Sequence, residues 1–169
     1  MIVFLVGAPG VGKTTLARQL IGPDAYLVPK PKWTVGKIVA AGHYNGGTFD
    51  GADTVPYNGV EDCLRFWEQQ LEGKDTLFDG DRFSHEKVVK WAREKTLLVK
   101  CIYLHALPDT LAARRKQRGS NQNETWLKGR MTKAANFQNL FASRDIVRVH
   151  ADVSPEEIYK RVVGEFGWR

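Results

Sequence analysis

The chain has 169 residues, 43% of them hydrophobic and 26% charged, and its 25 Lys and Arg outnumber 19 Asp and Glu for a net charge of +6. That length suits one well-packed domain rather than two, and the composition excludes both a disordered chain and a membrane-embedded one. No apolar run reaches the length of a membrane span, and the opening apolar run lacks a basic leader, so the expectation is a cytoplasmic protein with no targeting segment and no membrane partner.

Residues 2–6 (Ile, Val, Phe, Leu, Val) are short, apolar and β-branched or aromatic, as a fully buried parallel strand requires. They run straight into Gly7-Ala8-Pro9-Gly10-Val11-Gly12-Lys13-Thr14, a complete G-x-x-x-x-G-K-T loop, and residues 14–20 continue as a helix. The glycines let successive backbone N–H groups point inward, and the helix N-terminus adds its positive end to this anion nest. Lys13 then reaches the β- and γ-phosphates, the Thr14 hydroxyl belongs on Mg²⁺, and Thr15 lies within reach of another phosphate oxygen. Gly7, Pro9, Gly10, Val11, Gly12, Lys13, Thr14 and Thr15 are therefore the expected binding set for a nucleoside triphosphate such as ATP. A glycine-rich turn that merely joined strand to helix would not explain Lys and Thr directly after the last glycine.

Gly22-Pro23-Asp24 breaks the helix, residues 25–28 read as a second short strand, and Pro29 and Pro31 end it. Residues 33–58 are glycine-rich and read as an ordered loop, with Ile38, Val39 and Ala40 forming a short strand or helix inside it. A loop of that length in a compact domain is usually functional. Its aromatics, Trp33, Tyr44, Phe49 and Tyr57, argue against disorder and are candidates either for stacking on an exposed base or for the core.

Residues 59–71 form an amphipathic helix with Val60, Cys63, Leu64, Trp67 and Leu71 on its apolar face. Residues 76–78 make a brief buried strand that delivers Asp79-Gly80-Asp81-Arg82 at its C-terminal end. If side chains alternate, Asp79 and Asp81 point the same way, so that Asp79 serves the metal while Asp81 takes a proton from a substrate hydroxyl. Asp53 is a further candidate for that base. Ser84 is placed to cap a helix over residues 85–94, and residues 96–104 are the strongest strand of the second half.

A helix with Pro108 in its first turn spans residues 108–117, residues 119–124 interrupt it, Thr125 is a candidate cap, and residues 126–141 carry a second helical pattern. This stretch holds Arg114, Arg115, Lys116, Arg118, Lys128, Arg130 and Lys133 against only Asp109 and Glu124. It is a solvated helix face or a basic lid, over residues 114–133, that closes on phosphates. A lid assigns Arg114 to the nucleotide, and Arg118 and Arg130, with Arg82, to the charge of the migrating phosphoryl group. Residues 146–150 form the last strand, and Ser154-Pro155-Glu156-Glu157 opens a C-terminal helix. Cys63 and Cys101 sit in apolar patterns and read as buried thiols, and His43, His85, His105 and His150 have no metal-ligand spacing.

The alternation of strands and helices predicts an α/β P-loop NTPase or kinase fold, a parallel sheet with helices on both faces and ligands beyond the C-terminal ends of the strands. The phosphate loop and Asp79 to Arg82 both fall at that edge.

The phosphate loop, Asp81-Arg82 after a later strand, and the Arg114-x-x-x-Arg118 spacing together resemble the nucleotide-kinase-like branch of P-loop kinases, which includes nucleoside monophosphate kinases and polynucleotide 5′-hydroxyl kinases. Within it, Gly42-His43-Tyr44, Phe49-Asp50-Gly51-Ala52-Asp53-Thr54 and Asp79-Gly80-Asp81-Arg82 resemble segments of bacteriophage kinases that phosphorylate 5-hydroxymethyluracil in DNA. The usual hydrophobic continuation is replaced here by Val55-Pro56-Tyr57-Asn58. The resemblance implies an ATP- and Mg²⁺-dependent phosphotransferase with a DNA acceptor, and the alternatives are a kinase of free nucleotides or of 5′-hydroxyl ends. A P-loop ATPase or GTPase switch is a different class, and the guanine-reading Asn-Lys-x-Asp motif is absent from the sequence. The sequence leaves the oligomeric state open.

Overall fold

Strand β1 (Ile2–Gly7) is buried along its whole length because it has a parallel neighbour on each edge. The computed structural model describes residues 1–47 and 50–168. Among them the further strands are β2 (Tyr26–Val28), β3 (Trp33–Val35), β4 (Val39–Ala41), β5 (Thr76–Asp79), β6 (Val99–His105) and β7 (Ile146–His150). They form one sheet in the order β2-β3-β4-β5-β1-β6-β7. From β4 to β7 every pairing is parallel.

The period of two along β1 divides the core. Ile2, Phe4 and Val6 face α2 (Val60–Phe66), α3 (Glu86–Lys95) and α5 (Glu124–Gln138), whereas Val3 and Leu5 face α1 (Lys13–Ile21), α4 (Pro108–Gln117) and α6 (Pro155–Phe166). On the first face Phe4, Phe78, Phe83, Phe137 and Phe141 pack ring against ring, Phe78 and Phe83 stacking at 4.9 Å between centroids. Truncating one such ring to alanine costs about 3–5 kcal/mol, so this cluster anchors β1 and β5 firmly.

The sheet is not wholly parallel. β2, β3 and β4 form an antiparallel meander at one edge, and residues 33–41 are therefore largely strand rather than loop. Each of these strands has only three residues, too few for an alternating pattern to stand out. Trp33 is completely buried against Phe78, so it belongs to the core and is removed from the candidates for base stacking.

The helix ends differ in detail from the expectation. Ser84 does not cap α3; its hydroxyl donates to the Gly80 carbonyl at 2.6 Å, and His85 occupies the N-cap position without a side-chain bond. Asn123, not Thr125, caps α5, accepting from the Trp126 amide at 2.8 Å. Helix α2 continues through a π-helical turn over Trp67–Leu71. At α6 Ser154 and Glu157 form the complete reciprocal capping box.

Candidate active site

Because β5 and β6 flank β1, the sheet order places the end of β5 beside the phosphate loop that follows β1. A cavity of about 420 Å³ opens there, with Gly10, Gly12, Lys13 and Thr14 on one side and Asp53, Asp79, Asp81 and Arg82 on the other. Arg115, Arg118 and Arg130 line it from the α4–α5 region. A second cavity of about 220 Å³ lies behind the loop between Val11, Thr15, Arg114, Val153 and Pro155, and it shares Gly10, Gly12 and Arg118 with the first. Arg118 thus stands where the two spaces meet.

Lys13 begins α1, and its ammonium donates to the carbonyls of Gly7 at 2.8 Å and Ala8 at 3.2 Å. Burial pulls its pKa down, and the charges of Asp79, Asp81 and Asp53 oppose that pull. These three carboxylates therefore form the acidic wall that faces the lysine.

The wall is made of three different environments. Asp79 is buried at the end of β5; desolvation pushes its pKa up to about 6 against the nearby Lys13 charge. Tyr44 donates its phenol to Asp79 Oδ2 at 3.3 Å, and burial together with that carboxylate raises the phenol's pKa well above the ordinary value. Asp81 is ion-paired with Arg130, and Lys133 donates to its backbone carbonyl at 3.3 Å. Asp53 is exposed and has no ion pair or hydrogen bond to its carboxylate among the described residues. Asp79 and Asp81 do not continue one strand pattern, because Gly80 between them turns the chain with φ +70. The alternation expected for this pair is therefore broken, although both residues line the same cavity.

Asp79 Oδ1 is buried and has no hydrogen-bond partner among the described residues, and Thr14 lines the same cavity. An unpaired hard oxygen beside a hydroxyl suits Mg²⁺, which takes few protein ligands when phosphates supply the others. Among the described residues no group of three His, Cys, Asp or Glu is arranged to hold a metal by itself. The residues present fit an ion shared with a nucleotide.

Arg82 lies over the Tyr57 ring, 3.6 Å from its centroid, with Nε and Nη1 buried and unpartnered among the described residues. Arg130, which also reaches the Tyr57 side chain, lies over the Trp126 ring at 4.9 Å. Each arginine thus has an aromatic ring as a cation–π partner. Arg114 does not reach over the phosphate loop as a lid residue would. Its guanidinium donates to the carbonyls of Val11 at 3.3 Å and Ala151 at 2.7 Å, tying the loop to the end of β7 while lining the second cavity.

Two interactions had no signal in the sequence. Tyr44 meets Asp79 across 35 positions, guided by the Thr34 hydroxyl, which donates to Gly42 O at 2.7 Å and accepts from the Tyr44 amide at 3.1 Å. Asp50 pairs with Arg18 and accepts from the amides of Asn45 at 2.9 Å and Gly46 at 3.2 Å, which fastens the loop to α1. Phe49, expected beside the substrate, lies outside the described residues.

No helix among the described residues is long and apolar enough to cross a membrane. The sequence matches the AAA domain family over residues 3–138. No curated protein matches the sequence. In structure the chain is similar to a gluconokinase from Sinorhizobium meliloti 1021, with 12% identity, 98% of this chain and 90% of that one covered and a TM-score of 0.56. It is similar also to a sugar kinase from Janibacter sp. HTCC2649, at 14% identity, 99% and 94% coverage and a TM-score of 0.57. A shikimate kinase from Aquifex aeolicus vf5 gives 12% identity, 99% and 96% coverage and a TM-score of 0.55. At such identities the likeness is one of fold. The chain belongs to the AAA domain family, and its architecture is that of the P-loop kinases.

Proposed function

We propose that this protein is an ATP-dependent kinase whose acceptor is the hydroxymethyl group of 5-hydroxymethyluracil in DNA. The observation that carries the reading is the joined pair of cavities, one behind the phosphate loop and one between that loop and three carboxylates, with Arg118 at the junction. Such a site holds a donor and an acceptor end to end, and that positioning is most of what phosphoryl transfer requires.

In this reading the nucleoside occupies the second cavity against Arg114 and Pro155, and the loop from Gly7 to Thr14 holds the phosphates. Thr15 closes the nucleoside side of that loop. Lys13 leaves the carbonyls of Gly7 and Ala8 for the β- and γ-phosphates. Mg²⁺, held by Thr14 and Asp79, would neutralise phosphate charge when bound. Asp53, free of partners among the described residues, accepts the proton of the attacking hydroxyl. The acceptor oxygen forms its bond to the γ-phosphorus as the bond to the β–γ bridging oxygen breaks, and ADP leaves. Asp81 is better suited to orienting Arg130 than to being the base, since it already carries that ion pair. Arg118 and Arg130 stabilise the charge on the phosphoryl group in flight.

The acceptor side is supported by the resemblance of residues 42–44, 49–54 and 79–82 to the phage kinases, and by Tyr57 and Trp126 on the cavity wall, where an extruded base needs stacking partners. The unpartnered Arg82 suits an acceptor that carries a phosphate of its own, so a kinase of free nucleoside monophosphates is the second reading. Incubation with γ-labelled ATP and three acceptors separates them: DNA containing 5-hydroxymethyluracil, unmodified DNA with 5′-hydroxyl ends, and free nucleoside monophosphates. Label is expected in the modified DNA and should survive removal of terminal phosphates. Label confined to the free nucleotides would overturn the acceptor and leave the kinase.

A further inference from the structure

Behind the wall of the acceptor cavity lies a third depression that the transfer reaction does not use. It is a groove of about 530 Å³ between the segment joining β2 to β3, which supplies Lys30, Pro31 and Lys32, and the outer face of α2, which supplies Arg65 and Phe66. We propose that this groove is the track of the single DNA strand that flanks the acceptor base; the proposal rests on the reading of that acceptor as a base within DNA.

Continuity is the first argument. The turn that carries Tyr57 separates the two spaces: Tyr57 lines the acceptor cavity, and its neighbour Pro56 lines the groove. Tyr57 is 77% exposed, with the Arg82 guanidinium beneath its ring. A large aromatic left in solvent is costly to hold in one place unless something stacks on it, and here a charged group fixes it from below. A base drawn into the cavity past Tyr57 leaves its neighbouring nucleotide at the crest of the turn, from which the backbone descends into the groove.

Charge is the second argument. Lys30, Lys32 and Arg65 face the groove against the single carboxylate of Asp62, which lies 3.6 Å from Arg65 at the exposed surface. Neither lysine has an ion-pair partner among the described residues. A groove lined by these cations together with the apolar surface of Pro31 and Phe66 matches a strand that offers phosphates on one side and sugar and base faces on the other. An acidic peptide would answer the charge but has no reason to begin at the acceptor cavity.

The test is binding of a fluorescent, unmodified single-stranded oligonucleotide of about ten nucleotides, comparable to the site sizes of single-strand binders. It is measured over a salt series with the intact protein, K30A/K32A and Arg65→Ala. Wild-type protein should bind it with a steep salt dependence. In the variants affinity should fall by about tenfold, and the salt slope should drop by roughly 0.7 for each phosphate that is no longer neutralised, with affinity for a fluorescent ATP analogue unchanged. Unchanged oligonucleotide affinity and slope in both variants, or no binding by the wild type, would overturn the groove. Equal binding of an acidic peptide of matched charge, abolished by the same substitutions, would also overturn it in favour of a protein partner. If the oligonucleotide behaves as expected while modified DNA takes up no phosphate, the groove stands and the acceptor reading falls. If modified DNA is phosphorylated with the same KM in all three proteins, the groove falls and the acceptor reading stands.

Discussion

Three carboxylates look toward Lys13, and their surroundings distinguish them. Asp79 is buried and touched by Tyr44, Asp81 is committed to Arg130, and Asp53 is exposed and free among the described residues. A general base needs a carboxylate oxygen free to approach the acceptor hydroxyl, which favours Asp53. Asp53→Asn is expected to lower kcat by roughly 10²–10⁴-fold while leaving ATP affinity near that of the wild type, and steady-state kinetics with a nucleotide-binding titration measure both. Asp81→Asn matching that loss, with Asp53→Asn close to wild type, would return the base to Asp81. The sequence put forward all three carboxylates, but not how differently they are surrounded. Gly80 turns the chain after Asp79, and Tyr44 arrives from 35 positions away; neither event leaves a trace in local spacing.

At the scale of elements, the proposed acceptor side depends on a loop fastened to itself. His43 pairs with Gly51 across it, the Gly51 amide donating to His43 O at 2.7 Å, and Gly42 takes φ +106. A β-carbon at Gly42 would fall 2.1 Å from the Gly51 carbonyl oxygen, so a side chain there forces the two strands of the loop apart. Gly42→Ala should destabilise the protein by more than about 1 kcal/mol and raise KM for the acceptor more than for ATP. Chemical denaturation and kinetics check the two parts; unchanged values in both would mean that the loop tolerates opening and does not shape the acceptor site. Long, strongly patterned elements were readable in advance: β1, β6 and α3 lie within a few residues of their predicted spans, and α6 opens where it was expected. In the meander, residues 25–28 read as a strand and residues 38–40 as a strand or helix, but β3 and the antiparallel pairing were not readable, because these three-residue strands are held by pairing with one another and with β5 rather than by their own pattern. The same limit explains why Trp33 looked available for stacking. Its burial comes from packing on Phe78, on a strand much later in the chain.

The sheet order makes one site from separate motifs. With β5 and β6 on either side of β1, Asp79 is carried to the phosphate loop, and the basic α4–α5 region, which follows β6, closes the same opening. Arginines at that opening and lysines in the groove beyond Tyr57 place cations at both, as the proposed triphosphate and polymer would require. That a cavity would open at this edge was legible from strand–helix alternation, since open sheets of this kind form their clefts at the C-terminal ends of their strands. What decides the whole account is whether the phosphate loop is the donor site. Single-turnover transfer of the γ-phosphoryl group by wild type and Lys13→Ala, with circular dichroism to verify the fold, measures this most directly. Removing the one ammonium that faces the phosphates predicts a rate lower by roughly 10²–10³-fold or more in a protein that remains folded, whereas wild-type turnover by folded Lys13→Ala would contradict it.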